Sequence, residues 1–325
     1  MPHLAQPTYP SSDFNDSDSR SSGLKTTVSS PYKLPAIRAY LGGSFDPVHN
    51  GHLQMALYVY QYLLPIAEQQ QRELHVSLLP NARSPFKKNS TDPEHRLAML
   101  KLAIQDTALQ INELELWQTP PVYTIDSVKT LRARYPHDSL IFIMGMDSAR
   151  SLEQWKNGLQ LTDYVNLWVF DRSELSESTN TFSNTDKPVN NKNVITPDIA
   201  VLPAQLQSQL PMPLQNLTVS LATELLTPIS QNLADSPLLK NINQGYLYID
   251  PRPVAAVSST QIRQQLQQTE NRLYIMPSAE TQITSIAAIN DIIGNTAPNS
   301  FAKWLNPAIY QYIIAHQLYS AAQFR

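Results

Sequence analysis

The stretch YLGGSFDPVHNGHLQMAL, residues 40–57, decides the expected fold of this chain. It contains three of the eight glycines and two of the seven histidines in 325 residues. Apolar residues run up to Gly42 and Gly43, and a helical pattern follows from about Asn50, which predicts a buried strand, a tight turn and a helix N-terminus. Glycine permits positive φ and, without a Cβ, lets another group approach the backbone closely. The N–H groups and positive dipole end of the helix predict an anion site at this turn.

Two histidines of this stretch, His49 and His52, lie about one helical turn apart with Gly51 between them. At that spacing both imidazoles can point at the same phosphate, and a side chain at Gly51 could obstruct the approach. A metal pair is the competing interpretation, but it needs a third ligand, and no nearby His, Cys or acidic cluster supplies one. The fingerprints G-x-G-x-x-G and G-x-x-x-x-G-K-[ST] do not occur in the sequence.

The flanking segments alternate between short apolar runs and helical patterns. Buried strands are predicted in AIRAYLGG, ELHVSLLP, INELEL, SLIFIMGMD, YVNLWVF and GYLYID. Helices are predicted in HLQMALYVYQYLLP, stopped by Pro65, in DPEHRLAMLKLAIQD with Asp92 as N-cap, and in TIDSVKTLRARYP, VSSTQIRQQLQQ and LNPAIYQYIIAHQLY. Ser258 and Ser259 are the cap candidates of VSSTQIRQQLQQ. This alternation predicts an α/β fold, a Rossmann-like doubly wound parallel sheet with helices on both faces.

The composition changes along the chain and predicts its domain organisation. Residues 1–34 are rich in Ser, Asp, Pro and Thr and poor in large apolar side chains, which predicts a disordered tail before one domain at 35–325. Two low-complexity insertions are expected to interrupt that domain, at about 173–244 and 269–300, and the first is expected to be largely disordered. Because a loop as long as the first is improbable inside a compact domain, the alternative is a few helices packed on the surface.

The bulk composition argues against several classes of function. A net charge of -3 and a pI near 6.2 give no broad basic surface, so no nucleic-acid polymer is expected as a partner. The absence of cysteine removes disulfides and thiolate chemistry, and it fits a reducing compartment. No apolar run approaches the roughly 20 residues that span a bilayer, and the first residues lack a signal-peptide pattern. A cytoplasmic protein without membrane contact is therefore expected.

Several motifs resemble those of a known family. GGSFDPVHNGHL is similar to the signature of the nucleotidyltransferase superfamily, in which a (T/H)-x-G-H element contacts nucleoside triphosphate phosphates. VSSTQIR, at 257–263, resembles the second signature, a Ser/Thr-rich turn ending in arginine. Between them LLPNARSPFKK, PPVYTIDSVKTLR, FIMGMDS and SLEQW resemble segments of the bacterial nicotinate-nucleotide adenylyltransferases, as does the final LNPAIYQYIIAHQLY. The likeness covers about 36–172 and 245–269 and the last twenty residues.

The resemblance implies a reaction. It is transfer of the adenylyl group from ATP to the 5′-phosphate of nicotinate mononucleotide, which gives nicotinate adenine dinucleotide and pyrophosphate in NAD biosynthesis. Since the nucleophile is already a phosphate anion, catalysis needs no general base and rests on positioning and charge stabilisation. Mg²⁺ is implied as a cofactor held by the ATP phosphates, without named protein ligands. Nicotinamide mononucleotide or phosphopantetheine as acceptor, and a nucleotide-sensing protein without catalysis, stay open as alternatives. A homo-oligomer stays open too.

The resemblance also implies roles for individual residues. The catalytic residues implied are His49, His52, Lys87 and Arg263, and the family's usual histidine at Phe86 leaves open whether Lys87 or Lys88 faces the phosphate. The residues implied to bind ATP are Gly42, Gly43, Ser44, Phe45, His49, His52, Ser259, Thr260 and Arg263. The residues implied to bind the mononucleotide are Thr124 at its carboxylate, Asp147 at a ribose hydroxyl, Trp155 on the pyridine ring and Arg172 at the phosphate.

Overall fold

The computed structural model of the protein describes residues 34–83, 90–171, 201–226, 244–274 and 304–319. In these ranges the strands are β1 Ile37–Gly43, β2 Leu74–Pro80, β3 Gln110–Ile111, β4 Ser139–Gly145, β5 Asn166–Phe170, β6 Thr218–Val219 and β7 Leu247–Asp250. The helices are α1 Asn50–Gln69, α2 Pro93–Ile104, α3 Thr124–Arg134, α4 Met146–Arg150, α5 Val201–Gln207, α6 Met212–Gln215, α7 Ser259–Tyr274 and α8 Pro307–Ala315. Short 3-10 helices occupy Leu152–Gln154, Gly158–Asp163 and Ala222–Leu226.

All seven strands lie in one parallel sheet, in the order β3-β2-β1-β4-β5-β7-β6. From central β1 the chain builds outward through β2 and β3, and then returns to the other side of β1 with β4. The predicted doubly wound sheet is therefore confirmed. Loops that leave β1 and β4 diverge in opposite directions, so a crevice is expected at the carboxyl ends of these two strands.

Two apolar cores cover the two faces of the sheet, because alternate side chains of each strand point to opposite sides. In β4, Ile141 and Ile143 belong to one core, whereas Phe142 and Met144 belong to the other. The first core also contains buried residues of α1, α2, α7 and α8, and the second contains those of α3. The prediction of helices on both faces is confirmed, and β1 and β4 are held rigidly between them.

Helix α1 corrects one prediction, since it continues past Pro65 to Gln69. A proline inside a helix costs about 3 kcal/mol because it removes an N–H donor and crowds the carbonyl four residues earlier. Pro65 and Gln61 are both exposed, so water can bond that carbonyl. Beyond the proline, Ala67 is buried and Ile66 packs against the first core. This burial keeps the last turn helical.

The segment INELEL is not the strand that its pattern predicts. Strand β3 contains only Gln110 and Ile111, and a turn follows at 114–117. The side chain of Asn112 accepts a hydrogen bond from the N–H of Leu114 at 3.0 Å. A local bond of this kind competes with the ladder bonds that would continue a strand.

The preferred prediction of a disordered insertion at 173–244 is wrong for residues 201–226, which agree with the alternative: the short helices α5 and α6 lie here and pack on the domain. This part contributes β6, which pairs with β7 at the edge of the sheet, and the Asn166 side chain donates to the carbonyl of Leu225 at 3.0 Å. Its buried side chains enter both cores: Leu206, Leu210 and Leu214 in the second, and Ala222, Leu225 and Leu226 in the first. Regularly spaced leucines in a polar background therefore carry an ordered part of the fold.

The other predicted boundaries fall partly outside the described residues. Of the predicted tail, only residue 34 is described. Residues 275–300 of the second predicted insertion lie outside the described residues. Helix α7 includes the first six residues assigned to the second insertion, 269–274. Within the described ranges, no helix is long and apolar enough to cross a membrane.

Candidate active site

A cleft of about 850 Å³ opens at the carboxyl ends of β1 and β4, where the strand order reverses. Its walls come from the β1–α1 turn, the start of α3, the segment that follows β4, and the start of α7. The sequence-predicted residues that line it are Gly42, Gly43, Ser44, Phe45, His49, His52, Thr124, Asp147, Trp155, Ser259 and Thr260. Segments more than 200 residues apart thus meet at one site, and its volume is in the range usual for small-molecule pockets.

The glycines that end β1 are required by ring packing rather than by positive φ. None of the described glycines has a positive φ, so the expected conformational role at Gly42 and Gly43 is wrong. A Cβ at Gly42 would overlap the Phe142 ring, and one at Gly43 would lie 3.1 Å from the ring of Phe45. The residue in the left-handed region is Phe45, with φ of 49°. The close approach that glycine permits here is made by aromatic rings of the protein itself.

His49 and His52 stack face to face at the start of α1, with ring centroids 3.6 Å apart and an interplanar angle of 25°. His49 is the N-cap, and its backbone N–H donates to Nδ1 of His52 at 3.3 Å. In the neutral imidazole of His52, this bond places the proton on Nε2. The rings of Phe45 and His52 pack in a T-shaped contact, with centroids 4.9 Å apart, which restricts the rotation of the imidazole. The pair is therefore a preorganised donor site at a helix N-terminus.

Gly51 lets the segment that precedes α7 approach α1. A Cβ at this position would lie 2.9 Å from the carbonyl oxygen of Ala255 and 3.2 Å from Nδ1 of His49. The side chain of Gln54 on α1 accepts a hydrogen bond from the Ala255 N–H at 2.7 Å. The obstruction expected at Gly51 therefore concerns a protein carbonyl as well as the space beside the histidines.

The start of α7 is capped as its sequence predicts. The Ser258 hydroxyl accepts from the N–H of Gln261 at 3.2 Å, and the Gln261 side chain accepts from the N–H of Ser258 at 2.8 Å, which is a capping box. Ser259 donates to the carbonyl of Pro47 at 2.9 Å. Arg263 donates to the carbonyl of Asp46 and, at 3.1 Å, to the hydroxyl of Thr260. The two signature segments are thus bonded to each other through the β1–α1 turn.

A buried polar network supports this turn from behind. The carboxylate of Asp46 accepts from the Tyr319 hydroxyl at 2.8 Å and from the N–H of Thr91 at 3.2 Å. Arg96, fully buried on α2, donates to the carbonyls of Ser44 at 2.9 Å and Asn81 at 2.7 Å. Burial lowers the pKa of Arg96, and the nearby Asp46 carboxylate opposes that shift. These residues were missed because no sequence motif marks them: Arg96 bonds to backbone carbonyls, and Tyr319 reaches the Asp46 carboxylate from far along the chain.

The opposite wall is built around the first turn of α3 and the segment that follows β4. Thr124 is the first residue of α3, and Tyr123 is its N-cap. Within the described residues no side-chain hydrogen bond caps this helix, so its first N–H groups form a second donor site. Trp155 is half-buried against the second core, and Asp147, at the start of α4, is exposed.

An acidic and a basic residue that line the cleft, Glu115 and Lys156, are not among the predicted site residues. Glu115 lines the cleft but is only 5% exposed, and its burial raises the pKa of the carboxyl above the ordinary value, although the Ser127 hydroxyl offsets part of the shift. Lys156 follows Trp155 and lines the cleft with its side chain half-exposed. Glu115 lies in the turn that was predicted as strand, and Lys156 carries no motif of its own, so neither gave a signal.

Three of the predicted positions, Lys87, Lys88 and Arg172, lie outside the described residues, as does Phe86. Arg263 is not among the lining residues, although its partner Thr260 is.

A parallel sheet whose switch point carries donor groups at the starts of α1 and α7 defines a nucleotide-binding α/β protein. The comparison with protein families agrees with this class and makes it specific. The chain belongs to the cytidylyltransferase-like family, whose model matches residues 40–265.

Similar proteins with known names indicate a more specific class within this family. A probable nicotinate-nucleotide adenylyltransferase of Idiomarina loihiensis is 33% identical over 243 residues, which are 73% of this chain and 91% of that protein. The nicotinate-nucleotide adenylyltransferase of Bacillus subtilis is 41% identical over 133 residues, 40% of this chain and 64% of its own length. Among solved structures, Plasmodium falciparum nicotinic acid mononucleotide adenylyltransferase complexed with NaAD is 17% identical, with a TM-score of 0.47 over 87% of this chain and 97% of that one. The structural likeness is too weak to add to the sequence match.

Proposed function

We propose that this chain is a nicotinate-nucleotide adenylyltransferase, which transfers the adenylyl group of ATP to the 5′-phosphate of nicotinate mononucleotide. The family and the names of its relatives support this function. The structural observation that carries it is the joining of the two signatures: Ser259 and Arg263 bond to the carbonyls of Pro47 and Asp46, beside the stacked histidines. That arrangement puts Ser259, Thr260 and the stacked histidines in the cleft lining, and it bonds Arg263, which is not itself a lining residue, to Thr260.

At this end of the cleft the proposed roles are electrostatic. His52, with a proton on Nε2, and His49 donate to phosphate oxygens of ATP as negative charge accumulates around the α-phosphorus. Arg263, with the hydroxyls of Ser259 and Thr260, neutralises the β and γ phosphates and the departing pyrophosphate. A guanidinium suits this role because its planar donors match two oxygens at once.

At the other end the proposed ligand is the mononucleotide. Trp155 stacks on the pyridine ring, Thr124 and the first N–H groups of α3 receive the carboxylate, and Asp147 accepts from a ribose hydroxyl. The distribution of these residues along the opposite wall of the cleft supports this orientation. Lys87 or Lys88 and Arg172 are proposed to contact the acceptor phosphate, on the strength of the sequence resemblance.

The chemistry needs positioning more than acid–base groups. An oxygen of the acceptor phosphate attacks the α-phosphorus in line, a new P–O bond forms, and the bond to the β-phosphate oxygen breaks with release of pyrophosphate. Mg²⁺ would enter with ATP, held by phosphate oxygens and water, and would add positive charge along the triphosphate. Among the described residues no group of three or more His, Cys, Asp or Glu could hold a metal ion, so triphosphate oxygens are the proposed ligands. We place the reaction in the cytoplasm, which the absence of cysteine supports.

The test is a pyrophosphate-release assay with ATP and each of three acceptors: nicotinate mononucleotide, nicotinamide mononucleotide and phosphopantetheine. We expect the acid mononucleotide to have the highest kcat/KM. A higher value with either other acceptor would reassign the substrate, and ATP binding without pyrophosphate release with any acceptor would favour a sensing protein.

The pyrophosphate-release assay also tests the role of His52. We expect His52→Ala to reduce kcat by at least about a hundredfold with a modest change in ATP affinity, because the interaction strengthens in the transition state. The matched control is His75→Ala, on β2 and paired with Glu73 outside the cleft, which should leave kcat unchanged. Unchanged turnover in His52→Ala would remove this residue from the mechanism.

A further inference from the structure

Lys156 is a cation placed at the mononucleotide end of the cleft. Among the residues that the structure describes, it is the only lysine or arginine in the cleft lining. Its Nζ lies 4.3 Å from the centre of the Tyr123 ring and 3.6 Å from Oδ2 of Asp126. The ammonium group is thereby held beside the first turn of α3, where the uncapped N–H groups lie.

The backbone fixes where this side chain begins. Trp155, Lys156, Asn157 and Gly158 form a turn closed by a bond from the Gly158 N–H to the Trp155 carbonyl at 3.1 Å, with Asn157 in the left-handed region at φ of 51°. A Cβ at Gly158 would overlap the carbonyl of Leu152. The close packing at Gly158 restricts the turn and keeps Lys156 next to Trp155.

The existing partner of Lys156 holds it weakly. The side chains of Lys156 and Asp126 are 50% and 56% exposed, and an exposed ion pair contributes little to stability. An anion bound in the cleft could therefore draw the ammonium group away from Asp126 at small cost. A ligand that is partly shielded from water interacts with a cation more strongly than a solvated carboxylate does.

We propose that Lys156 is a specificity residue that receives the pyridine carboxylate and makes the enzyme prefer the acid mononucleotide to the amide. This inference rests on the proposed function. The acid and the amide mononucleotide have nearly the same shape and share the ribose phosphate. They differ at one group: the acid carries a negatively charged carboxylate, whereas the amide carries a neutral group with its own N–H donors. A cation beside the ring discriminates between them, whereas a cation on the phosphate would favour both alike. The uncapped N–H groups of α3 and the Lys156 ammonium supply only donors, which suits a carboxylate.

The experiment measures kcat/KM for the acid and the amide mononucleotide at saturating ATP. We expect Lys156→Gln to lower the ratio of acid to amide about tenfold, through a higher KM for the acid and unchanged constants for the amide. Lys156→Arg keeps the charge and should retain most of the preference. The control is Lys129→Gln on α3, because Lys129 makes a similar cation–π contact, 5.7 Å from the Tyr164 ring, and does not line the cleft. That variant should keep the wild-type ratio.

The partner carboxylate provides a second test. Asp126→Asn releases Lys156 from its ion pair, so we expect the ratio of acid to amide to rise about threefold. In the double variant with Lys156→Gln, that rise should disappear. A rise that persists would show that Asp126 acts on the substrate by itself, and the assignment to Lys156 would fall.

The outcomes separate this inference from the proposed function. If wild type uses the acid but Lys156→Gln leaves the ratio of acid to amide unchanged, the inference alone is overturned. The same holds if Lys156→Gln lowers kcat/KM equally for both substrates. If wild type releases pyrophosphate with neither mononucleotide, the proposed function fails first and the inference falls with it. Thermal unfolding of each variant accompanies the kinetics, and an unfolded Lys156→Gln would leave the decision to the Lys156→Arg and Asp126→Asn ratios.

Discussion

Gly51→Ala is the smallest change that tests whether contact between α1 and the segment before α7 positions the site. The added Cβ would lie 2.9 Å from the Ala255 carbonyl oxygen, about 0.5 Å short of an ordinary contact. That carbonyl also accepts a hydrogen bond from the N–H of Val257 at 2.9 Å, immediately before the capping residue Ser258. Displacing the carbonyl therefore moves the start of α7 relative to His49.

Two effects on stability oppose each other in this variant. Alanine is favoured over glycine in a helix by roughly 0.5–1 kcal/mol, whereas overpacking in a close contact costs about 1–3 kcal/mol. Since the obstructing atom is backbone rather than the end of a flexible side chain, the steric cost should exceed the gain, and we expect a net loss of about 1 kcal/mol. The activity should fall further than the stability. A displacement of about 1 Å in a positioned site can cost about a hundredfold in rate. If the free-energy cost scales with distance, a displacement of about 0.5 Å predicts a loss of about tenfold in kcat.

Pyrophosphate release and urea unfolding of the same preparation measure both quantities. Gln61→Ala, on the exposed side of α1, is the control and should leave kcat unchanged. If Gly51→Ala is more stable than wild type by the full helix-propensity gain and retains its kcat, the Ala255 contact does not position α7, and the reasoning is refuted.

Three further expectations concern the walls of the cleft and its support. Trp155→Ala should raise the KM for the mononucleotide severalfold and leave that for ATP nearly normal; equal effects in the kinetic assay would contradict stacking. Tyr319→Phe leaves a buried oxygen of Asp46 without its 2.8 Å donor, so urea unfolding should record a loss of about 1–3 kcal/mol, and no loss would mean that water replaces the hydroxyl. Burial raises the pKa of Glu115, so the folded state binds more protons and stability falls as pH rises above the ordinary value of 4.5. Glu115→Gln should weaken that fall in urea unfolding between pH 4 and 7, and parallel pH profiles of the two proteins would contradict the shift.

Much of the fold could be predicted because its signals are local. The β1–α1 stretch predicts a strand, a turn and a helix from residues that are neighbours in sequence. Ser258 and Ser259 indicate the start of α7 as cap candidates, and in the structure Ser258 forms a capping box with Gln261. Eleven of the site residues that the family resemblance implies line one cleft. The local signals could not predict which atom packs against each glycine. The crowding at Gly42 and Gly51 comes from the Phe142 ring and the Ala255 carbonyl, which lie far away along the chain.

The differences between the predicted and the observed elements also have a physical cause. Average composition hides a few well-spaced apolar residues, so 201–226 was assigned to an insertion although Leu206, Leu210 and Leu214 are buried. Pro65 is unfavourable in a helix taken alone, but the packing beyond it overrides the local penalty. Glu115 gave no signal, because its burial is decided by the turn after β3 and the neighbouring α3, and neither is visible in the residue itself.

The β1–α1 turn explains why so short a motif has such wide consequences. The carbonyl of Asp46 accepts from Arg263, and the Asp46 carboxylate accepts from Tyr319, so the turn joins α7 to the segment after α8. The Arg263 guanidinium donates to uncharged oxygens, the carbonyl of Asp46 and the hydroxyl of Thr260. A phosphate carries a full negative charge, and a guanidinium can bond two of its oxygens at once, so phosphate is the better acceptor for Arg263. We therefore expect ATP to draw Arg263 from the turn into the cleft, while the carboxylate of Asp46, still bonded to Tyr319, keeps the turn in place.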